Sequence, residues 1–228
     1  GQGDAFLVAL HQAIAAYGSL VYLRLLSEMN HFEHFHSAYT ASGRSRGPQY
    51  SPDTFRKMFA RMHLLLHGGS ATAINSTLKK LGLPPYAGGD LPAIPSTKLR
   101  IIWNPLGGGQ PEVRGNAFFR FYPGDRYVDI VGNDLYGAYS QYAGPQNEVL
   151  YAFAREHHKP FALPEWGVKS SDYPAFVKYV CNFIRSHSGI ELAAYYKSQP
   201  GGIFDLGNKP ASRQVYRRCI TPLGRPAP

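Results

Sequence analysis

The chain is poor in cysteine, in acidic residues and in long apolar runs, and each shortage removes a class of function. Two cysteines, Cys181 and Cys219, are too few for a disulfide framework and are not spaced as a zinc pair. Each lies in a helix-like segment, so two buried thiols is the default expectation, with a single disulfide as the alternative if the protein is exported. No apolar stretch approaches the roughly eighteen residues that span a bilayer, and no cleavable leader pattern opens the chain, which begins GQGDAFLVAL without an initiator Met and reads as a processed or trimmed start. Fifteen acidic against 24 basic residues leave a net charge of +9, which invites a nucleic-acid reading. The basic residues are scattered from Arg24 to Arg225 with no nucleic-acid motif among them, and that reading is set aside.

What is present is a globular composition, 44% apolar and 17% charged over 228 residues, sufficient for one domain with a real core. Five β-rich apolar runs stand out, at 20–26, 99–105, 127–136, 160–166 and 190–196. Helical patterns occupy 4–17, 52–67, 145–158, 172–187 and 209–219, with an extra helix near 71–81. Ser51 before Pro52 is a helix start and Gly68–Gly69 a stop, while Asp172 is a candidate cap for the helix that follows it. Strands alternating with helices imply a parallel sheet covered on both faces, open or closed into a barrel. No linker marks a second domain, so 1–228 reads as a single unit.

The strand ends decide between those architectures. Each apolar run finishes in polar or aromatic residues: Glu28 and Asn30, Trp103 and Asn104, Asp134 and Tyr136, Glu165 and Trp166, Tyr196 and Ser198. Functional groups at the carboxyl ends of several strands are what the catalytic face of a β/α barrel requires. In the first run, strict alternation puts Arg24, Leu26, Glu28 and Asn30 on one face, three of the four polar. Glu28 and Glu165 are the key pair, since a charged group that closes an apolar strand is costly without a task. A pair of structural ion bridges, with Arg24 as a candidate partner, is the alternative that pattern alone leaves open.

Four stretches in order, LRLLSEMN, IIWNP, YPGDRYVDIVGNDLYG and KPFALPEWG, resemble the signature strands of the retaining glycoside hydrolases of clan A, most closely family 26, the mannanase and related endoglucanase group. The likeness runs from about residue 4 to about 198. It implies a (β/α)8 barrel of which this chain covers strands four to eight, and a retaining, endo-acting hydrolysis of a polysaccharide with no metal and no cofactor. Such hydrolysis uses an acid and a nucleophilic carboxylate roughly 5–5.5 Å apart. By the resemblance Glu28 is the acid/base and Glu165 the nucleophile; Tyr136 donates to the nucleophile, and Arg24 matches an arginine four residues before the acid/base. Trp103 and Trp166 offer faces for pyranose stacking, and Asn30, Asn104 and Tyr196 complete the substrate-contacting set. The chain departs from the family at Ser27, where a histidine usually precedes the acid/base, in HFEHFHSAY, where tryptophans are common, and in AAYYKSQPGG. Mannan specificity therefore does not carry over. A sugar-binding protein without turnover and a transglycosylase are the rival readings.

Two metal readings are weaker than their alternatives. His31, Glu33, His34 and His36 match no metal spacing and read as a solvent-facing or sugar-contacting loop, and Asp125 with Asp129 lack the calcium-loop pattern, Asp129 reading instead as a barrel-bottom hydrogen-bond acceptor. The first three β/α units of a barrel are missing. They are expected from another polypeptide, or from a longer chain of which this is a fragment, in preference to a protein that has departed from the clan and closes differently, because a half-open parallel sheet exposes its edges. Export follows from the substrate class, since polymers do not enter cells intact.

Overall fold

A computed structural model describes residues 1–137 and 140–225. The chain divides into two compact units, Gly1–Ile130 and Val131–Pro228. The first holds helices α1 (Asp4–Tyr17), α2 (Pro52–His67) and α3 (Ala71–Lys80) with strands β1 (Val21–Arg24) and β2 (Leu99–Trp103). The second begins with β3 (Ile130–Tyr136) and continues through α4 (Ser140–Glu156), β4 (Phe161–Gly167), α5 (Pro174–Ser186), β5 (Ile190–Tyr195) and α6 (Pro210–Val215). Neighbouring strands pair in parallel and in chain order, β1 with β2 in the first unit and β3 with β4 with β5 in the second. That is the alternation of a β/α barrel. Between β2 and β3 the chain makes 3₁₀ turns in place of an α-helix.

Local chemistry sets the helix ends. The Ser51 side chain accepts from the Thr54 N–H, with Pro52 at the first helical position. Gly68 closes α2 at φ 73°, where an added Cβ would lie 2.5 Å from the Pro92 carbonyl oxygen. In the first unit α1 buries Leu7, His11 and Ile14, and α2 buries Phe55, Phe59, Leu65 and Leu66. Arg61 of α2 bonds Asp4 through Nε (2.8 Å) and Nη2 (2.5 Å), and its Nη1 donates to the Pro84 carbonyl.

In the second unit α5 lays Phe176, Val177, Val180 and Cys181 inward at helical spacing. Three expectations fail here. Cys181 and Cys219 are not free thiols but a disulfide, with Cα atoms 6.0 Å apart, because the turn after α6 brings Cys219 back onto α5. Asp172 does not cap α5, which starts at Pro174 after Tyr173 with no side-chain cap; its carboxylate accepts from the N–H groups of Ala211 and Ser212, capping α6 instead. Helix α4 starts at Ser140 rather than at Pro145, which sits in its second turn and gives up one backbone hydrogen bond.

Candidate active site

In the first unit the residues expected to carry chemistry follow the carboxyl ends of β1 and β2. β1 stops at Arg24, shorter than the run predicted, because Leu26 and Glu28 adopt φ 48° and 51°. Alternation therefore ends before Glu28, and its position beyond Arg24 is set by a turn, not by a shared strand face. The Glu28 N–H donates to the Asn104 carbonyl at 2.7 Å, tying the turn to the end of β2. Its carboxylate Oε2 lies 3.0 Å from His34 Nε2, and both side chains keep some solvent contact.

His34 belongs to a loop of packed rings, stacked on His36 and edge-on to His31. Its ring centroid is 5.3 Å from that of His36 and 5.5 Å from that of His31. Burial holds His36 below the usual histidine range, against a hydrogen bond to the Ser27 carbonyl that acts the other way. Arg46 braces the loop from outside, donating to the His34 and Ser37 carbonyls with its guanidinium 4.4 Å from the Tyr50 ring centre. His34 as a partner of Glu28 was not assigned from sequence. The signal was the histidine-rich loop itself, which follows directly on Glu28.

Asn30 is corrected from a sugar contact to a structural staple. It is fully buried, and its amide is spent on Leu106, Nδ2 donating to the carbonyl and Oδ1 accepting from the N–H, both at 2.8 Å. Its own carbonyl accepts from Gln110 and from the Asn116 side chain. The indole of Trp103 is likewise core: it is wholly buried, 4.9 Å from the ring centre of Tyr122, and offers no open face for stacking. The Asn104 side chain is buried and makes no hydrogen bond among the described residues.

In the second unit Glu165 lies inside β4, half-buried, opposite Asp134 of β3. Pro164 before it has no N–H to give, and the register with β5 slips between Leu163 and Trp166. Proline inside a sheet belongs at such irregularities, and these re-aim the side chain that follows. Trp166 is wholly buried against Tyr195 and Tyr216, so its expected stacking role fails as it does for Trp103. Tyr136 ends β3 opposite Gly167, its ring 5.2 Å from Phe204 and 6.5 Å from Tyr196. Tyr196 is 46% exposed. The loop bearing Phe204 is pinned by the Tyr195 hydroxyl, which donates to the Phe204 carbonyl, and by buried Lys209, whose Nζ donates to the carbonyls of Ile203 and Asp205.

Residues 111–187, which include Tyr136 and Glu165, match the sequence model of glycosyl hydrolase family 26. The chain is family 26-like. It is similar in fold to a mannanase of Bacillus subtilis, at 18% identity over 95% of this chain and 52% of that one, with a TM-score of 0.54. GH26C of a Muricauda species gives 15% identity over 100% and 57%, with a TM-score of 0.56. A modular endo-β-1,4-mannanase of Cellulomonas fimi gives 17% over 94% and 47%, with a TM-score of 0.52. No curated protein matches by sequence. The family 26-like chain thus spans about half the length of the structures it resembles, and its fold is a partial β/α barrel with five parallel strands.

Proposed function

We propose that this family 26-like chain is part of a retaining, endo-acting β-glycosidase that cleaves a polysaccharide by double displacement. Glu165 attacks the anomeric carbon while Glu28 gives its proton to the departing glycosidic oxygen. Glu28 then takes a proton from water as that water displaces Glu165. The observation that carries the reading is Glu28 itself. A glutamate at φ 51° costs on the order of 1–3 kcal/mol, and such strain persists where the surroundings fix it, characteristically at functional sites. Here the Asn104 carbonyl fixes the backbone and His34 fixes the carboxylate. His34 supplies the imidazole that Ser27 lacks, Tyr136 orients Glu165, Arg24 and Asn104 support the acid/base side, and Tyr196 offers an exposed ring to the sugar. The disulfide suits an exported protein. The remaining β/α units come from a longer chain or a second polypeptide.

The test is reducing-end release from a panel of β-glycans, β-mannan first, by the complete enzyme and by Glu165→Ala and Glu28→Gln. Each substitution is expected to lower kcat by about 10³-fold or more with circular dichroism unchanged. A glycoside with an activated aryl leaving group needs no proton, so it restores the first step in Glu28→Gln but not in Glu165→Ala. Undiminished turnover in either variant defeats the assignment. Ser27 in the place of the family's histidine favours one second reading, sugar binding without turnover, which predicts retained oligosaccharide binding and no product from the unaltered protein.

A further inference from the structure

Away from Glu28, beside β2, α2 presents His63 and His67 one turn apart on a single face. Both approach Asp129, which immediately precedes β3. His67 Nε2 lies 2.9 Å from Asp129 Oδ2 and His63 Nε2 lies 3.6 Å from Oδ1, with the ligand-type atoms of all three residues within 4.8 Å of one another. We propose that His63, His67 and Asp129 form a binding site for one divalent transition-metal ion, zinc by preference, held by the two Nε2 atoms and a carboxylate oxygen, with solvent at the fourth position.

The geometry suits that ion. Zinc bound at about 2.0–2.1 Å by nitrogen and oxygen ligands has tetrahedral edges of about 3.3 Å, and the two observed separations bracket that length. The outer contacts are those that orient metal ligands. His67 Nδ1 lies 2.9 Å from the Ile94 carbonyl, which only accepts, so Nδ1 carries the proton and donates, turning Nε2 toward Asp129. Asp129 Oδ2 accepts from the Ile101 N–H at 2.7 Å, fixing the carboxylate. The Ile94 carbonyl and the Ile101 N–H thus hold the His67 imidazole and the Asp129 carboxylate before any ion arrives. The side chains are 12–17% exposed, shielded yet reachable. Two imidazoles with one carboxylate favour zinc over magnesium or calcium, which prefer all-oxygen shells. Bound there, the ion would clamp the end of α2 to the segment that enters β3.

The rival arrangement is a metal-free hub of hydrogen bonds around Asp129, and titration calorimetry separates the two. The full chain, stripped with chelator, is titrated with Zn²⁺ alone. One ion per chain is expected, with affinity lowered about a hundredfold by His63→Gln and by His67→Gln and unchanged by His31→Ala. No stoichiometric uptake, or uptake unchanged in both glutamine variants, overturns the site. Because a variant can fail to fold, the unaltered protein is also footprinted with diethyl pyrocarbonate and read by mass spectrometry. Protection of His63 and His67 by Zn²⁺ supports the site; protection confined to other histidines overturns it.

Discussion

Glu28 and Glu165 reach the ends of their strands by different means. Glu165 is carried by the sheet: it sits within β4, just after Pro164, where the register slips against both neighbouring strands. Glu28 lies beyond its strand, in a turn that needs two left-handed residues, a buried asparagine and a histidine from the next loop. A strand position is inherited from the fold, whereas a turn position has to be held by its own contacts. The Glu28 side is therefore where small changes do the most harm.

The largest effect is expected from Asn30→Ala. It removes both bonds to Leu106 and leaves buried backbone groups unpaired, a loss of about 4 kcal/mol. Hydrogen exchange should quicken around β1 and β2 and leave β4 and β5 protected; uniform quickening would deny that the turn is held locally. The counterpart in the second unit is Cys181→Ser with Cys219→Ser, which opens a cross-link spanning 38 residues. A loss of about 3 kcal/mol in denaturant midpoint analysis is expected, with the catalytic rate at 25 °C unchanged.

Next comes the Asp4–Arg61 pair of the first unit. Arg61 bonds the Asp4 carboxyl and holds it below its ordinary value of 3.8. A depressed carboxylate contributes stability that is fully present above the unfolded value and fades as pH falls through the folded one. Asp4→Asn should cost about 2 kcal/mol at neutral pH, a gap that narrows below about pH 4; a gap independent of pH would rule the ion pair out as its source. The smallest effect is that of His34→Ala, about tenfold in kcat/KM with stability within about 1 kcal/mol. A loss equal to that of Glu28→Gln would make His34 an indispensable proton carrier and not a positioning residue.

Local chemistry made much of this fold legible. α1 and α2 have the predicted ends because Gly18, the Ser51–Pro52 start and Gly68 are short-range signals. The five strands were readable because each is a mainly apolar run, most fully buried in β2 and at the starts of β3 and β4, as a parallel sheet requires. What stayed hidden depended on distant partners. A tryptophan at a strand end looks the same in sequence whether it lines a cleft or, like Trp103 and Trp166, fills the core. Alternation extrapolated past Arg24 could not show that Leu26 and Glu28 turn left-handed. The Cys181–Cys219 bond, the Asp172 cap on α6 and the approach of Asp129 to His63 and His67 each join residues 38 to 66 positions apart, beyond any local pattern.

The start of α6 and the turn after it are fastened within the second unit at two points, by hydrogen bonds from Ala211 and Ser212 to Asp172 and by a covalent bond from Cys219 to α5. Under tension this arrangement behaves as a rivet behind a latch. A pull on the chain beyond Cys219 is taken up by the sulfur bridge and passes directly into the middle of α5, so the segment does not peel from its end. Reduction of the bridge would transfer the same load to the Asp172 contacts, which yield at far lower force.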